Sequence, residues 1–302
     1  MTLIIGKIKD NQIRFISDSK ITDEYSVRNN VLAGSLKLFI LNPQTCMGFA
    51  GNLHFAEQLL SEIYNNKIPT FPALIQKCLS INIESNDSTV FCIGFYDRNE
   101  PRLLKIAGKS IQSNQKNVWI GDKLGFEKYQ QNFHESKIED DFSKMESAFD
   151  NVIKDEKIPT ISDFQISIET IFQPQLNSFI FAYTDKFLMS YAPQNFTMQI
   201  NPGEKSATHH LGFGGADIGG FGTSYLRSIN VFQPAIAIHF PQGEFGVLFC
   251  PQINYNKPII FTQQPDGENF AIEIWEKYKI ALQGFVAKDG FAFKYIVTSP
   301  KT

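Results

Sequence analysis

Segments typical of strands and of helices occur in blocks along this chain, not in strict alternation. Two pairs of strand-like runs come first: "TLIIGKIK" with "QIRFIS", and "SLKLFIL" with "TCMGFAG". Helical spacing of apolar residues follows in "NLHFAEQLLSEIYNN" and "PALIQKCLSI", and strands are predicted in "STVFCIGFYD", "RLLKIAG" and "NVWIG". Further helices are predicted in "KLGFEKYQQNF", "DDFSKMESAFDNVIKD" and "SDFQISIETIFQ", and then strands in "SFIFAYT" and "KFLMSYA". Blocks of this kind predict an α+β fold of packed layers, without the βαβ alternation of a parallel sheet.

The composition and the secondary-structure pattern of the sequence change after residue 200. The segment "HHLGFGGADIGGFGTSY" is rich in glycine, "AIAIHF" and "FGVLFC" form a candidate strand pair, and "NFAIEIWEKYKIALQGF" has the pattern of a late helix. Residues 1–200 are therefore predicted to form the core. Residues 201–302 are predicted to form a C-terminal extension that packs on it.

Composition and charge exclude several classes of partner. The chain has 302 residues, 43% of them hydrophobic, which is enough for a large buried core. Lys and Arg total 28 against 31 Asp and Glu, so no basic excess is present and nucleic acid is not an expected partner. The start lacks a basic region before its apolar run, and no stretch of about 18 apolar residues occurs. We therefore expect a cytoplasmic protein without a membrane partner.

Cysteine and histidine spacing gives no indication of a metal or a cofactor. The four cysteines are far apart and mostly lie in apolar runs, which is typical of buried free thiols: Cys46, Cys78, Cys92 and Cys250. His209 and His210 are adjacent, so in a strand they would face opposite sides and could not bind one ion together. The glycine-rich segment fails as a nucleotide loop because Asp217 occupies the place of its last glycine. No cofactor and no metal are predicted.

The two N-terminal hairpins bring polar side chains to one end of the strands. If Asp10 and Asn11 form the first turn, residues whose numbers add to 21 face each other, which places Asp18 opposite Leu3 and beside Thr2. The same arithmetic in the second hairpin places Lys37 opposite Phe49 or Ala50, next to Gly51. The sequence therefore predicts a cluster of a threonine, an acid, an ammonium group and a glycine.

Such a cluster can activate a terminal threonine. A threonine hydroxyl is a weak nucleophile, but the free α-amine of the same residue can take its proton once Met1 is removed from Thr2. An α-amine titrates at about 7.7–8.0, close to the range of a useful general base. Asp18 would hold Lys37 in place, and the charge of Lys37 would lower the proton affinity of the neighbouring groups. The N–H of Gly51 would donate a hydrogen bond to the oxyanion.

The segments "MTLIIGKIKDNQIRFISDSKIT", "SLKLFIL" and "MGFAGNLHFAEQLL" resemble proteasome β-type subunits and bacterial proteasome-like peptidases, which belong to the N-terminal-nucleophile hydrolases. The resemblance covers about the first 135 residues and continues coarsely to residue 200. The residues that match the pattern of that family are Thr2, Asp18, Lys20, Thr22, Lys37, Ala50 and Gly51. The resemblance implies a four-layer αββα sandwich, hydrolysis of peptide bonds, a substrate backbone held by Thr22 and Gly51, and frequent assembly into rings.

The chain also departs from the family pattern. Lys20 replaces the usual arginine, which keeps the charge but loses the bidentate fork. Ile120, Gly121 and Asp122 stand where the family has Ser-Gly-Ser, so the first serine has no equivalent. Phe49 corresponds to the floor of the pocket for the residue before the cleaved bond. A ring there favours small substrate side chains, although ordinary core packing explains it equally well.

Two hypotheses follow. The first is a threonine-type N-terminal-nucleophile hydrolase that acts on peptide or other amide bonds, forms homo-oligomers such as rings, and takes a peptide or protein as substrate. Its catalytic residues are Thr2, Asp18, Lys37 and Gly51, and its substrate-binding residues are Lys20, Thr22, Phe49 and Ala50. The second is a non-catalytic scaffold or binding subunit of the same fold, in which Asp18 and Lys37 form a structural ion pair.

Overall fold

A computed structural model describes residues 2–19, 34–155, 157–158, 160–161, 164–190, 195–196, 211–212, 221–241, 244–288 and 292–298. Over these ranges the chain has a mixed α/β structure with several sheets and six helices. It divides into two compact units, one from residues 1–21 and 35–182 and the other from residues 22–34 and 183–302, as far as they are described. Lys20, Thr22, His209, His210 and Asp217 lie outside the described residues.

The described residues of the first unit form two five-stranded sheets and four helices. Its elements in chain order are β1 (Leu3–Lys9), β2 (Gln12–Ser17), β3 (Leu38–Asn42), β4 (Thr45–Gly51), α1 (Leu53–Tyr64), α2 (Phe71–Glu84), β5 (Thr89–Asp97), β6 (Glu100–Ala107), β7 (Ser110–Gln112), β8 (Asn117–Gly121), α3 (Lys123–Glu135), α4 (Asp141–Ile153), β9 (Ile166–Gln173) and β10 (Ser178–Tyr183). A 3₁₀ turn at Pro174–Leu176 joins the last two strands. The strand orders are β10-β9-β2-β1-β8 in the first sheet and β3-β4-β5-β6-β7 in the second.

The first hairpin has the predicted register. Asp10 and Asn11 form its two-residue turn with φ of 48° and 66°, a left-handed conformation that Asp and Asn tolerate better than most residues. Ile4 pairs with Ser17 and Ile5 with Ile16, so facing residue numbers add to 21 as predicted. This register places Asp18 at the start of β1.

The two sheets of the first unit pack closely through small residues. A Cβ added at Gly48 of β4 would lie 2.9 Å from Cδ1 of Ile4 in β1. A Cβ added at Gly94 of β5 would lie 2.5 Å from the ring of Phe15 in β2. Side chains larger than hydrogen would therefore push the sheets apart at both glycines.

Helices cover the other faces of these sheets. Leu3, Ile5 and Ile16 of the first sheet share a core cluster with residues of α3 and α4, which are Tyr129, Met145, Ala148, Phe149 and Val152. On the second sheet, Met47 of β4 contacts Cys78 of α2, with their sulfur atoms 3.9 Å apart. Leu3 and Ile5 of β1 therefore face the helices, and Ile4 between them faces the second sheet.

One sequence prediction of secondary structure is wrong. The segment "SDFQISIETIFQ" was expected to be helical, but Ile166–Gln173 within it forms strand β9. This strand pairs with β2, and both of its faces are covered near its start, where Ile166, Ser167 and Ile168 are buried. The β-branched residues fit a strand, and β2, which supplies the partner, lies about 150 residues earlier in the sequence.

The described residues of the second unit form a seven-stranded sheet with helices beside it. Its elements are β11 (Lys186–Ser190), β12 (Asn195–Phe196), β13 (Leu211–Gly212), β14 (Phe221–Ser228), β15 (Ile236–Phe240), β16 (Phe245–Phe249), α5 (Pro251–Asn254), β17 (Ile259–Thr262), α6 (Gly267–Tyr278), β18 (Leu282–Lys288) and β19 (Ala292–Val297). The strand order is β17-β16-β15-β14-β18-β19, β11 also pairs with β14, and β12 pairs with β13 separately. The predicted strand pair is confirmed as β15 and β16.

The late helix is confirmed as α6, but it ends at Tyr278 and "LQGF" begins β18. Phe270, Ala271 and Ile274 of α6 share a core cluster with Leu226 and Ala237 of the sheet. The boundary at residue 200 between core and extension stays a prediction.

The four cysteines are free and buried, as predicted. Burial raises the pKa of the Cys92 thiol to about 12, so this thiol is protonated at neutral pH. Among the helices that the structure describes, none combines the length and apolar character needed to cross a membrane.

Candidate active site

The backbone of Thr2 is held between the first strand and the end of β8. Its carbonyl oxygen accepts a hydrogen bond of 2.6 Å from the N–H of Asp122, and Thr2 is only 7% exposed. Gly121 precedes Asp122 with φ of 103°, and a Cβ added there would lie 1.7 Å from the Thr2 carbonyl oxygen. Only glycine lets the end of β8 approach Thr2 this closely.

Asp18 and Lys37 form a buried ion pair directly beside Thr2. One carboxylate oxygen of Asp18 accepts from the N–H of Leu3 at 3.0 Å, and the other accepts from Nζ of Lys37 at 2.9 Å. The side chains of Asp18 and Lys37 are 0% and 2% exposed. Burial raises the pKa of Asp18 above its usual range, and the charge of Lys37 opposes this shift.

Lys37 is placed by the second hairpin as predicted. Its carbonyl oxygen accepts from the N–H of Phe49 at 3.2 Å, so these two residues face each other just before β3 pairs with β4. The structure therefore brings Thr2, Asp18 and Lys37 together through the two hairpins. Their catalytic roles stay predictions.

Ala50 and Gly51 end β4 beside the same site. A Cβ added at Gly121 would lie 3.4 Å from the Cβ of Ala50, which places the end of β4 next to the end of β8. Gly51 is exposed and has φ of 117°, and a Cβ added there would lie 1.8 Å from the carbonyl oxygen of Ser88. This close approach makes glycine necessary at position 51.

Two helices begin where these strands end. Asn52 caps α1 by accepting from the N–H of His54, and Asp122 caps α3 by accepting from the N–H of Gly125. Neither helix has an acidic residue in its first turn. Helix N-termini carry partial positive charge, so the N-terminus of α1, which the uncharged Asn52 caps, favours negative charge that develops beside it, whereas the carboxyl of Asp122 already occupies the N-terminus of α3.

Phe49 is buried at 1% exposure, and its ring stacks on Phe39 with centroids 5.9 Å apart. This contact is ordinary core packing, and a role for Phe49 as the floor of a substrate pocket stays a prediction. Lys20 and Thr22 stay predictions as well, because both lie outside the described residues.

Sequence reasoning missed a hydrogen-bonded pair beside Thr2. One carboxylate oxygen of Asp122 accepts from the N–H of Gly125 at 2.8 Å, and the other accepts from the hydroxyl of Thr160 at 2.8 Å. Asp122 is 4% exposed. An aspartate just before a helix is a capping signal that could have indicated its role, but nothing in the sequence links it to Thr160.

Ser19 attaches the segment after α4 to the same end of the sheet. Its hydroxyl oxygen accepts from the N–H of Phe164 at 3.1 Å, and its carbonyl oxygen accepts from the N–H of Ser35 at 2.7 Å. Ile120, at the position of the first family serine, is 1% exposed and pairs with Ile4. An aliphatic side chain at position 120 cannot donate a hydrogen bond to the amine of Thr2.

A cavity of about 730 Å³ lies at the opposite end of the strands from Thr2. Turn residues line it, including Pro43 and Gln44 before β4, Asn99 before β6 and Asn177 before β10. The cavity therefore contains none of the residues of the Thr2 cluster. Within the described ranges, no three His, Cys, Asp or Glu side chains come together as a metal site.

No family model and no curated protein matches the chain. Among solved structures, it is similar to eukaryotic HslV from Trypanosoma brucei, with 17% identity and a TM-score of 0.42 over 55% of this chain and 98% of that one. It is also similar to a Gly-1 mutant of Anbu from Hyphomicrobium sp. strain MC1, with 15% identity and a TM-score of 0.42 over 56% of this chain and 80% of that one. Similarity at this level does not establish a family or an activity.

Proposed function

We propose that the chain is a threonine-type N-terminal-nucleophile hydrolase that cleaves peptide or other amide bonds, with Thr2 as the nucleophile after removal of Met1. The observation that carries the proposal is the buried Asp18 carboxylate, which binds both the N–H of Leu3 and the ammonium of Lys37. Through these two bonds, an acid and a cation are fixed at the residue that follows Thr2.

In the proposed reaction, the free amine of Thr2 accepts the proton of its own hydroxyl while the hydroxyl oxygen bonds to the substrate carbonyl carbon. The intermediate collapses with cleavage of the C–N bond, and the leaving amine takes the proton from the Thr2 ammonium. This collapse leaves the acyl group on the Thr2 oxygen as an ester. Water attacks this ester, the Thr2 amine again accepting a proton, and the hydroxyl is restored as the acid product leaves.

The surrounding groups stabilise the charges of this reaction. Lys37 adds a positive charge that lowers the pKa of the hydroxyl and the amine of Thr2, and Asp18 keeps Lys37 in position. The N–H of Gly51 donates to the oxyanion, and the N-terminus of α1 adds its partial positive charge. Lys20, Thr22 and Ala50 are the other proposed substrate-binding residues.

The proposal includes a four-layer αββα core for residues 1–200 and an extension for residues 201–302. The packing of α3 and α4 on the first sheet, together with the contact of α2 with the second, supports this order of layers. A cytoplasmic homo-oligomer of ring type, acting on a peptide or protein, completes the proposal. Phe49 would restrict the residue before the cleaved bond to small side chains.

A non-catalytic scaffold or binding subunit is the second candidate. Two observations favour it: Thr2 is only 7% exposed, and Ile120 offers no hydroxyl to the Thr2 amine. In this candidate, Asp18 and Lys37 fix the start of β1 and have no further role. The two candidates differ in whether the Thr2 amine is free.

Intact mass spectrometry of the native protein, combined with hydrolysis assays on short peptides, tests the proposal. We expect a chain that has lost Met1, activity that disappears in Thr2→Ala, and activity partly retained in Thr2→Ser, with the wild type and both variants showing the same melting temperature. A native chain that retains Met1, or equal turnover in Thr2→Ala and wild type, would contradict the proposal.

A further inference from the structure

Strand β19 leaves one edge of the sheet in the second unit open. It is the last strand of the seven-stranded sheet and pairs with β18 on one side. Within the described ranges, no strand pairs with its other side. An open edge presents backbone N–H and C=O groups that can pair with a further strand. The register of β19 with β18 determines which residues supply these groups.

The open backbone groups belong to alternate residues of β19. The N–H of Thr298 donates to the carbonyl oxygen of Leu282 at 2.8 Å, so these two residues form a hydrogen-bonded pair. Along an antiparallel ladder, such pairs alternate with pairs that lack these bonds. In the observed register, Ile296 and Lys294 therefore turn their N–H and C=O groups toward β18. Three residues turn these groups away from β18: Phe293, Tyr295 and Val297.

The side chains of the same three residues form an apolar row on one face of β19. Phe293, Tyr295 and Val297 are 58%, 45% and 56% exposed. The ring of Phe285 in β18 contacts both aromatic rings of the row, with centroids 5.4 and 4.9 Å away. Ile296 points to the opposite face and is buried in the core cluster that includes α6. Open backbone groups and exposed apolar side chains therefore occur together on this edge.

The edge carries no uncompensated charge. Lys294 is the only charged residue of β19, and its Nζ lies 2.9 Å from Oε2 of Glu268 in α6. Many proteins protect an open edge with lysine or proline. Lys294 is drawn toward α6 by its ion pair, and β19 contains no proline, so neither residue type blocks this edge. An apolar edge without net charge favours an apolar partner strand over an acidic or basic one.

A second copy of β19 has the same properties and fits the edge. When Tyr295 lies opposite Tyr295 of the partner subunit in an antiparallel pair, Phe293 lies opposite Val297 of the partner subunit. Each outward N–H then meets an outward carbonyl oxygen. Lys294 lies opposite Ile296 of the partner subunit, whereas a register with two opposed lysines would bring like charges together. This pairing is symmetric, so it closes as a two-fold dimer.

We infer that two copies of this chain associate through β19, in an antiparallel pair centred on Tyr295 that makes the two sheets continuous. Main-chain hydrogen bonds along the edge and contacts between the exposed apolar side chains would hold the two copies together. The inference does not depend on the proposed hydrolase activity, because it concerns only residues of the second unit.

Sedimentation velocity and hydrogen exchange at single amides of the full wild-type chain, at low and high micromolar concentration, test the inference. We expect a dimer in which the amides of Phe293, Tyr295 and Val297 are protected. The amides of Lys294 and Ile296 donate to β18 with or without a partner, so they are the internal control and should be protected throughout.

Three outcomes would overturn the inference. One is a monomer at both concentrations in which the amides of Phe293, Tyr295 and Val297 exchange fast. Another is an oligomer in which these amides still exchange fast, because it would use a different surface. The third is protection of these amides in a monomer, which would mean that another part of the same chain covers the edge.

A proline variant of the edge sharpens the test. Val297→Pro removes an N–H that points away from β18, a position where an edge strand tolerates proline. It should weaken dimer formation at least about tenfold, because two interface hydrogen bonds are lost per dimer. Val297→Thr is the matched control, since it keeps the N–H and the branched shape, and it should dimerise as the wild type does. Equal dimer formation by the two variants would contradict the inference. If Val297→Pro fails to fold, the exchange pattern of the wild type decides.

Discussion

Asp18 in the first unit and His239 in the second are both fully buried titratable side chains, but their hydrogen bonding differs. Both carboxylate oxygens of Asp18 have a donor, one from a backbone N–H and one from an ammonium group. His239 uses only one of its two ring nitrogens, and the other has no partner among the described residues. A buried charge must be compensated by the chain itself, whereas a neutral ring with one unused nitrogen costs less. The two sites should therefore respond differently to mutation and to pH.

The largest effect is expected from breaking the ion pair. Lys37→Met leaves the Asp18 carboxylate buried without its cation, which should lower the free energy of unfolding by about 3–5 kcal/mol. The double variant Asp18→Asn with Lys37→Met should lose less than the sum of the single variants. Urea denaturation of the four proteins measures this coupling. Additive losses would show that the pair acts as two independent residues.

The next effect concerns the close approach of β8 to Thr2. Gly121→Ala adds a Cβ 1.7 Å from the Thr2 carbonyl oxygen at a residue with φ of 103°, so the hydrogen bond from Asp122 cannot survive unchanged. Gly108→Ala is the matched control, because Gly108 also has positive φ but no atom lies within 4 Å of an added Cβ. The control should lose about 1–2 kcal/mol from backbone strain alone. Gly121→Ala should lose clearly more, and equal losses would contradict the packing at this strand end.

A smaller effect is expected from acid in the second unit. Burial lowers the pKa of His239 below the unfolded value of about 6.5, so the unfolded state binds the proton more readily. The stability from neutral His239 is complete above that value and is lost as the pH falls below it. The hydrogen bond to the carbonyl of Gln264 and, to a smaller extent, the charge of Asp266 at the N-terminus of α6 oppose this lowering of the pKa.

Hydrogen exchange of β15 and α6 at pH 8 and pH 5 measures this acid effect. Wild type should lose protection at the lower pH, by about 1.4 kcal/mol for each unit of pKa difference. His239→Gln should lose much less, since it has no group that titrates in this range. Equal losses in the two proteins would assign the acid sensitivity to other residues.

The smallest effect is expected at Thr160. Thr160→Val removes the hydroxyl that donates to Asp122 but keeps the branched shape, so the loss should be about 1 kcal/mol. If Asp122 helps to position Thr2, the same variant should reduce kcat of peptide hydrolysis more than it changes KM. A variant with normal kcat and reduced stability would limit Thr160 to a structural role.

The sequence predicted those parts of the site that depend on local turns. The Asp10–Asn11 turn fixed the pairing of β1 with β2, and simple counting then placed Asp18 beside Leu3. The same counting placed Lys37 opposite Phe49 or Ala50, and the structure shows Phe49. Both pairings are local, so the residues between the partners determine them.

Contacts over longer separations could not be predicted in this way. The segment that forms β9 was expected to be helical, since a short apolar run fits either structure. Its strand partner β2 is distant in the sequence, so no local pattern could correct this prediction. Asp122 and Thr160 are 38 residues apart, and no periodic pattern relates them. The cross-strand pair of Ser224 and His239 was also missed. The glycine-rich sequence there did not predict a strand at Ser224, so its pairing with β15 could not be counted from a turn.

The central claim is that the hydroxyl of Thr2 carries the acyl group during hydrolysis. The most direct measurement is peptide mapping by mass spectrometry after a short reaction of native protein with an activated peptide ester and quenching in acid. The account predicts one acyl group per active chain, located on Thr2 and absent from Thr2→Ala. An acyl group on another residue, or hydrolysis at the native rate by Thr2→Ala, would contradict it.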